Sequence, residues 1–167
     1  MEQQENSGQR ILHELTNRGH EVKAIARNIS KLPSTVKAVK DDLSNADTIA
    51  SVIAGADAVV SAYAPPQDNT DALLGVTERQ IAAVKKAGVS RLIVVGGAGL
   101  LEVAPGVSLI AGFFEPGQRT GKYRLGTTNL IANEKGDSRI SFEDYAVALA
   151  DEIEKPAHER GQLSIGY

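Results

Sequence analysis

The chain has 167 residues, of which 42% are hydrophobic, 23% charged and only 4% aromatic, with no Trp and no Cys. That length suits one domain spanning 1–167, and an aliphatic core of Ala, Val, Ile and Leu is the kind a helix-covered parallel sheet requires. A net charge of −3 without a run of Lys or Arg speaks against nucleic acid as a partner, and the lack of Cys excludes disulfides, thiolate catalysis and cysteine-held zinc.

No apolar run approaches the length of a membrane span, and the polar, acidic opening Met1–Asn6 does not read as a signal peptide, so a cytoplasmic location without membrane partners is expected. Ser7 is predicted to cap a first helix striped by Ile11, Leu12 and Leu15 and ended by Arg18-Gly19. Strands follow at Glu21–Ala26 and Val36–Val39, closing in charge at Arg27 and Asp41-Asp42. Ser44 and Asp47 have capping-box spacing for a short helix carrying Ile49, Val52 and Ile53, with Gly55 beyond it.

Ala58–Ala62 lacks polar alternation and reads as a strand buried on both faces, broken by Tyr63-Ala64-Pro65-Pro66. A helix over Thr70–Ala87 is striped by Leu73, Leu74, Ile81 and Val84, and a strand at Arg91–Val95 runs into Gly96-Gly97-Ala98-Gly99. Helices alternating with strands in this way imply right-handed crossovers and a parallel sheet with helices on both faces. Beyond it, Gly-marked turns separate short strands such as Lys122–Leu125, and Gln118–Lys122 reads as an exposed turn. Ser141 and Asp144 form a second capping box, opening a helix with Tyr145, Leu149 and Ile153 on one face and closed by Pro156; Gln162–Tyr167 makes a last strand.

Four stretches, Arg18–Asn28, Asp42-Leu43, Ala58–Tyr63 and Gly88–Gly99, together with Phe113–Gly117 and Ile140–Ala146, carry a wider pattern. With them the chain resembles the NAD(P)H-binding atypical short-chain dehydrogenases, and within these the NADH-flavin reductases, which are similar to biliverdin reductase B and to NmrA-like proteins. The resemblance covers most of the chain. It implies an α/β Rossmann-like domain binding NADP or NAD and reducing a small acceptor such as a flavin or quinone.

The family's pattern opens with a buried strand and a Gly-x-x-Gly-x-x-Gly turn that holds the cofactor pyrophosphate on backbone N–H groups. Only Gly8 fits, as the last of those glycines, and the chain lacks the first strand. In this fold that strand lies between two strands that are present, so an intact sheet needs another chain's strand, a rearranged core, or residues beyond those of this sequence. A later helix-strand unit has no counterpart near Val107–Gly112.

The resemblance places Arg27 where a guanidinium could take an adenosine 2′-phosphate, favouring NADP; the alternative is a solvated strand-end arginine. Asp42 would accept from the adenine amino group while Leu43 packs on the ring, or Asp42 is an acid before a helix start. Ala62, Tyr63 and Ala64 would border the dinucleotide, or form a Pro-ended turn. Gly96 and Gly97 fall where classical relatives place a catalytic serine, and glycine donates no side-chain proton; they mark a nicotinamide position or a tight turn.

No catalytic side chain is assigned. His13, His20 and His158 lack metal-ligand spacing and read as surface residues, while Phe113-Phe114 reads as core or as pocket wall. The competing function is a non-catalytic member, either an NAD(P)H sensor or a protein deficient in cofactor binding. Self-association is left open.

Overall fold

The computed structural model describes residues 2–66, 68–96, 102–104, 107–108 and 113–167. In chain order the elements are α1 (Glu2–Asn17), β1 (Lys23–Ala26), a 3-10 turn (Ile29–Lys31), β2 (Lys37–Lys40), α2 (Ala46–Ile53), β3 (Ala58–Ser61), α3 (Ala72–Ala87) and β4 (Arg91–Val94). There follow β5 (Glu102–Ala104), β6 (Val107–Ser108), β7 (Phe113–Glu115), β8 (Arg124–Gly126), β9 (Arg139–Ser141), α4 (Phe142–Glu154) and β10 (Ser164–Gly166). Two compact units emerge, one built on Gly19–Val95 and the other on Asn6–Arg18 with the described part of Gly96–Tyr167.

In the first unit β1 pairs with β2 and β3 with β4, both in parallel, with Ile25 opposite Val39 and Val60 opposite Ile93. α2 and α3 supply the core beneath them. Ile49, Ala50 and Ile53 meet Ala83, Val84 and Val89, and Ile25, Val59 and Leu92 from the strands pack on that cluster. Each fully buried Ile or Val there is worth about 1.5–3 kcal/mol.

Among the described residues no ladder joins β1–β2 to β3–β4; they stand as separate two-stranded sheets. The division falls between β1 and β3, where the resemblance sets the family's first strand. It also corrects two expectations. β3 is half-buried except at Ser61, because a strand in a two-stranded sheet keeps an open edge. On α3 the buried face is Val76, Gln80, Ala83 and Val84, whereas Leu73, Leu74 and Ile81 are exposed.

Helix starts differ from expectation for local reasons. α1 begins at Glu2, since Glu and Gln extend a helix readily, so Ser7 lies buried inside it instead of capping it. Ile11, Leu12 and Leu15 are buried as read. For α2 the cap is Asn45, not Ser44: the Asn45 side-chain oxygen accepts from the N–H groups of Asp47 at 2.7 Å and Thr48 at 3.3 Å. α3 ends at Gly88 in the left-handed conformation, φ 70°, whose N–H turns back to the Lys85 carbonyl.

In the second unit β7 pairs with β9 in parallel and β8 with β10 antiparallel. α4 is capped by Ser141, whose hydroxyl accepts from the Asp144 N–H at 3.0 Å, as the capping box predicted. It is buried well beyond the single Tyr145-Leu149-Ile153 face, through Phe142, Ala146, Val147, Ala148, Leu149 and Ala150. Phe114 packs as core, its ring centroid 4.3 Å from Phe142 and 4.9 Å from Tyr145. Among the described residues no helix is long and apolar enough to cross a membrane.

Candidate functional site

Parallel strands gather their following loops at one end, which is where an open α/β sheet receives ligands. The β1–β2 ladder continues past both strands, with the Asp41 N–H donating to the Ala26 carbonyl at 3.2 Å. Arg27 and Asp42 therefore leave the same end of this pair. Arg27 is exposed and its guanidinium has no partner among the described residues, while the next residue, Asn28, caps the 3-10 turn through the Ser30 N–H at 3.0 Å.

The β2 loop is held tightly. Leu43 has φ 61°, a left-handed conformation that costs a side-chain-bearing residue about 1–2 kcal/mol. Both of its backbone groups are satisfied by side chains: its N–H donates to Asp41 Oδ1 at 2.6 Å, and its carbonyl accepts from Arg79 Nε at 2.7 Å. Its side chain packs on the α2–α3 cluster, which anchors the loop further. Asp42 accepts the Ser44 N–H at 3.0 Å, and the Ser44 hydroxyl and N–H hold its carboxyl below the usual range. Asp42 is thus an exposed, fixed anion one residue past β2.

The β3–β4 end is built alike. The Val95 N–H donates to the Ser61 carbonyl at 2.8 Å, extending the ladder by one step. Ala62, Tyr63 and Ala64 follow half-buried, and Pro65 and Pro66 end any pairing. Gly96 comes directly after Val95, is exposed, and a Cβ built on it meets nothing within 4 Å. Gly96→Ala should therefore leave thermal stability within about 0.5 kcal/mol of wild type. A large loss of NAD(P)H affinity in that variant, measured by calorimetry, would show that the open space is used by ligand.

Gly8 corrects the sequence reading. It lies inside α1, six residues from the start, so its N–H is committed to the helix instead of lining a turn at a helix N-terminus. Gly97 lies outside the described residues. The structure brings Arg27 and Asp42 together at one strand pair's end and Ala62–Ala64 with Val95 at the other's.

The second unit holds groups that sequence reasoning did not assemble. Buried Asp144 accepts from the Thr120 N–H at 2.8 Å, the Thr120 hydroxyl at 2.6 Å, the Gly121 N–H at 2.7 Å and the Tyr167 hydroxyl at 2.7 Å. Burial pushes its carboxyl up, but these donors outweigh burial and hold it below the usual range. Glu143 takes Arg10 Nε and the Gly117 N–H, both at 2.8 Å. The turn Gln118–Lys122, though exposed, is strapped to the start of α4; the spacing from Asp144 to Thr120 carried no local signal.

A cavity of about 240 Å³ opens where β7 and β9 end, lined by Glu115, Gly117, Thr120, Arg139, Ser141 and Tyr167. The hydroxyls of Thr120 and Tyr167 donate to Asp144, and that of Ser141 donates to the Gln118 carbonyl. Burial pushes Tyr145 up to about 12, and burial with the Asp151 contact does the same for Tyr123.

Parallel strand pairs over a helix layer, with candidate ligand-contacting residues past their carboxyl ends, define a Rossmann-like nucleotide-binding α/β protein. Comparison with known proteins sharpens this. The family model for NAD(P)H-binding matches residues 6–120. The Bacillus subtilis protein YwnB is 36% identical, over 95% of this chain and 92% of its own. A candidate epimerase from Bacteroides thetaiotaomicron is 37% identical with a TM-score of 0.86, covering 97% of this chain and 92% of that one. A candidate NADH-flavin reductase from Streptococcus pneumoniae is 27% identical with a TM-score of 0.77, covering 96% and 94%.

The chain belongs to the NAD(P)H-binding family of atypical short-chain dehydrogenases/reductases. The YwnB alignment runs to 202 positions against the 167 residues here, so internal segments of that relative have no counterpart in this chain.

The residues fit a nicotinamide dinucleotide unevenly. An exposed guanidinium and a fixed carboxylate past β1 and β2 suit its adenosine end, whereas α1 presents no N–H-lined turn at Gly8 for its pyrophosphate.

Proposed function

We propose that this protein is an NADP(H)-preferring reductase of a small planar acceptor, a flavin or a quinone, acting in the cytoplasm. The observation that carries the cofactor preference is Arg27: exposed, unpartnered among the described residues, and one residue past β1 at the end shared with Asp42. A guanidinium there suits a 2′-phosphate through paired charge-assisted hydrogen bonds. Asp42 and Leu43 are the adenine contacts, and Ala62–Ala64 with Gly96 and Gly97 border the rest of the dinucleotide. The cofactor supplies hydride when bound; the protein supplies placement.

Calorimetry and steady-state oxidation of NADPH and NADH with FMN or a quinone test this reading. Arg27→Glu should lower NADPH affinity about ten- to a hundredfold while leaving NADH affinity nearly unchanged. An unchanged NADPH/NADH ratio would remove Arg27 from the site. A second reading, a non-catalytic NAD(P)H sensor or a member deficient in binding, is favoured by the enclosure of Gly8 within α1. Saturable binding without turnover supports the sensor, and no binding at millimolar ligand supports the deficient form.

A further inference from the structure

Arg79 lies half-buried on α3 and reaches the turn after β2, where its Nε donates to the Leu43 carbonyl at 2.7 Å. Among the described residues this is its one hydrogen bond, so the guanidinium serves no other network. Gly75, one helical turn earlier, gives it room: a Cβ there would stand 3.2 Å from Arg79 Nη1. A glycine inside a helix weakens it, and here the missing side chain lets the guanidinium lie close to α3. The bond falls on the residue of the turn that has a positive φ. Leucine does not favour the left-handed conformation, which therefore persists only where its surroundings enforce it.

We infer that Arg79 is the positioning residue for the adenosine end of the cofactor site, holding Asp42 and Leu43 in the conformation that receives adenine; this rests on the reading that places adenine against these two residues. The link runs through the backbone. The Ser44 N–H, donating to Asp42 Oδ1 at 3.0 Å, is what fixes the carboxylate, and rotation of Leu43 out of the left-handed region swings Ser44 away from it. The Leu43 N–H is held by Asp41, a close neighbour that moves with the turn. Its carbonyl is held by Arg79, which stands on a helix anchored in the core through Ala83 and Val84. Among the described residues, the bond from Arg79 alone ties the Leu43 backbone to another element. The charge of Arg79 also adds to the donors of Ser44 in keeping the Asp42 carboxyl below its usual range.

Calorimetry on the full chain with NADPH, and with reduced nicotinamide mononucleotide, which lacks the adenosine, tests this together with amide hydrogen exchange at Leu43 and Ser44. Arg79→Met keeps the aliphatic stem and removes the donors. It should lower NADPH affinity about tenfold, leave affinity for the mononucleotide unchanged and speed exchange of both amides about tenfold. Arg79→Lys returns one donor and should recover part of the NADPH affinity. In a Leu43→Gly background the left-handed conformation carries no steric cost, so Arg79→Met should there change NADPH affinity by about twofold or less. Undiminished NADPH affinity in Arg79→Met overturns the inference and leaves the reading of the cofactor site intact. So does a loss of the same size in the Leu43→Gly background, or one shared by the mononucleotide, since a merely structural role weakens both ligands. A wild-type chain that binds no NADPH overturns the reading of the site, and the inference with it.

Discussion

Asp144→Ala is expected to destabilise the protein by about 3–5 kcal/mol, read from urea unfolding followed by circular dichroism. The carboxylate is fully buried and takes four hydrogen bonds, two from backbone N–H groups of Thr120 and Gly121 that have no side-chain freedom to find another acceptor. Each buried donor left unpaired costs about 1–3 kcal/mol, and charged acceptors sit at the upper end. Asp144→Asn keeps the shape and one carbonyl oxygen, and the Thr120 and Tyr167 hydroxyls can rotate to accept from its amide. It should cost about 1 kcal/mol. Equal losses in the two variants would show that packing, not the hydrogen-bonded charge, holds the 118–122 turn on α4.

Glu14→Gln is expected to cost about 2–3 kcal/mol and to blunt acid unfolding. Glu14 lies on α1 with a nearly enclosed side chain. It accepts from Arg119 Nε at 2.7 Å and Nη2 at 2.6 Å, and from Arg18 Nε at 2.8 Å. Paired hydrogen bonds from Arg119, with Arg18 assisting against the cost of burial, hold its carboxyl down to about 2. A carboxyl whose folded pKa is depressed contributes stability above its unfolded value, and that contribution is lost as pH falls through the folded one.

The stability due to Glu14 is therefore complete above about pH 5 and disappears between about pH 4.5 and about pH 2. Asp144 adds to the same acid limb, since its carboxyl is also held low. Unfolding free energy measured from pH 7 to 2 should fall less steeply in Glu14→Gln than in wild type. Identical slopes would show that the ion pairs with Arg119 and Arg18 do not form in solution. Arg18 joins α1 to α4 at the same place, through Asp151 at 2.7 Å and Glu154 at 2.9 Å, so the loss of Glu14 leaves that guanidinium partnered.

Much of the candidate site was legible because it depends on strand ends. Charge or small residues after an apolar run mark where a strand stops, and Arg27, Asp42, Ala62–Ala64 and Gly96 do follow the ends of β1, β2, β3 and β4. Gly8 misled because a glycine before an apolar stripe reads the same at a turn as inside a helix; only the backward extension of α1 to Glu2 distinguishes them. The left-handed conformation of Leu43 left no trace, since leucine is not a residue that favours it. What sustains it is remote: Arg79, thirty-six residues on, reaching the Leu43 carbonyl.

The sequence by itself determined the class of fold and the strand ends, because alternating periodicities and capping residues are local properties that each segment states alone. Only the tertiary structure decided which apolar faces are covered. Leu74 and Ile81 match a buried stripe in every local respect, yet α3 turns Val76, Ala83 and Val84 inward, because burial is set by what stands opposite a face. For the same reason the parallel strands form two separate pairs among the described residues, and Asp144, an ordinary helix-start acid by spacing, becomes the buried anchor of a turn more than twenty residues away.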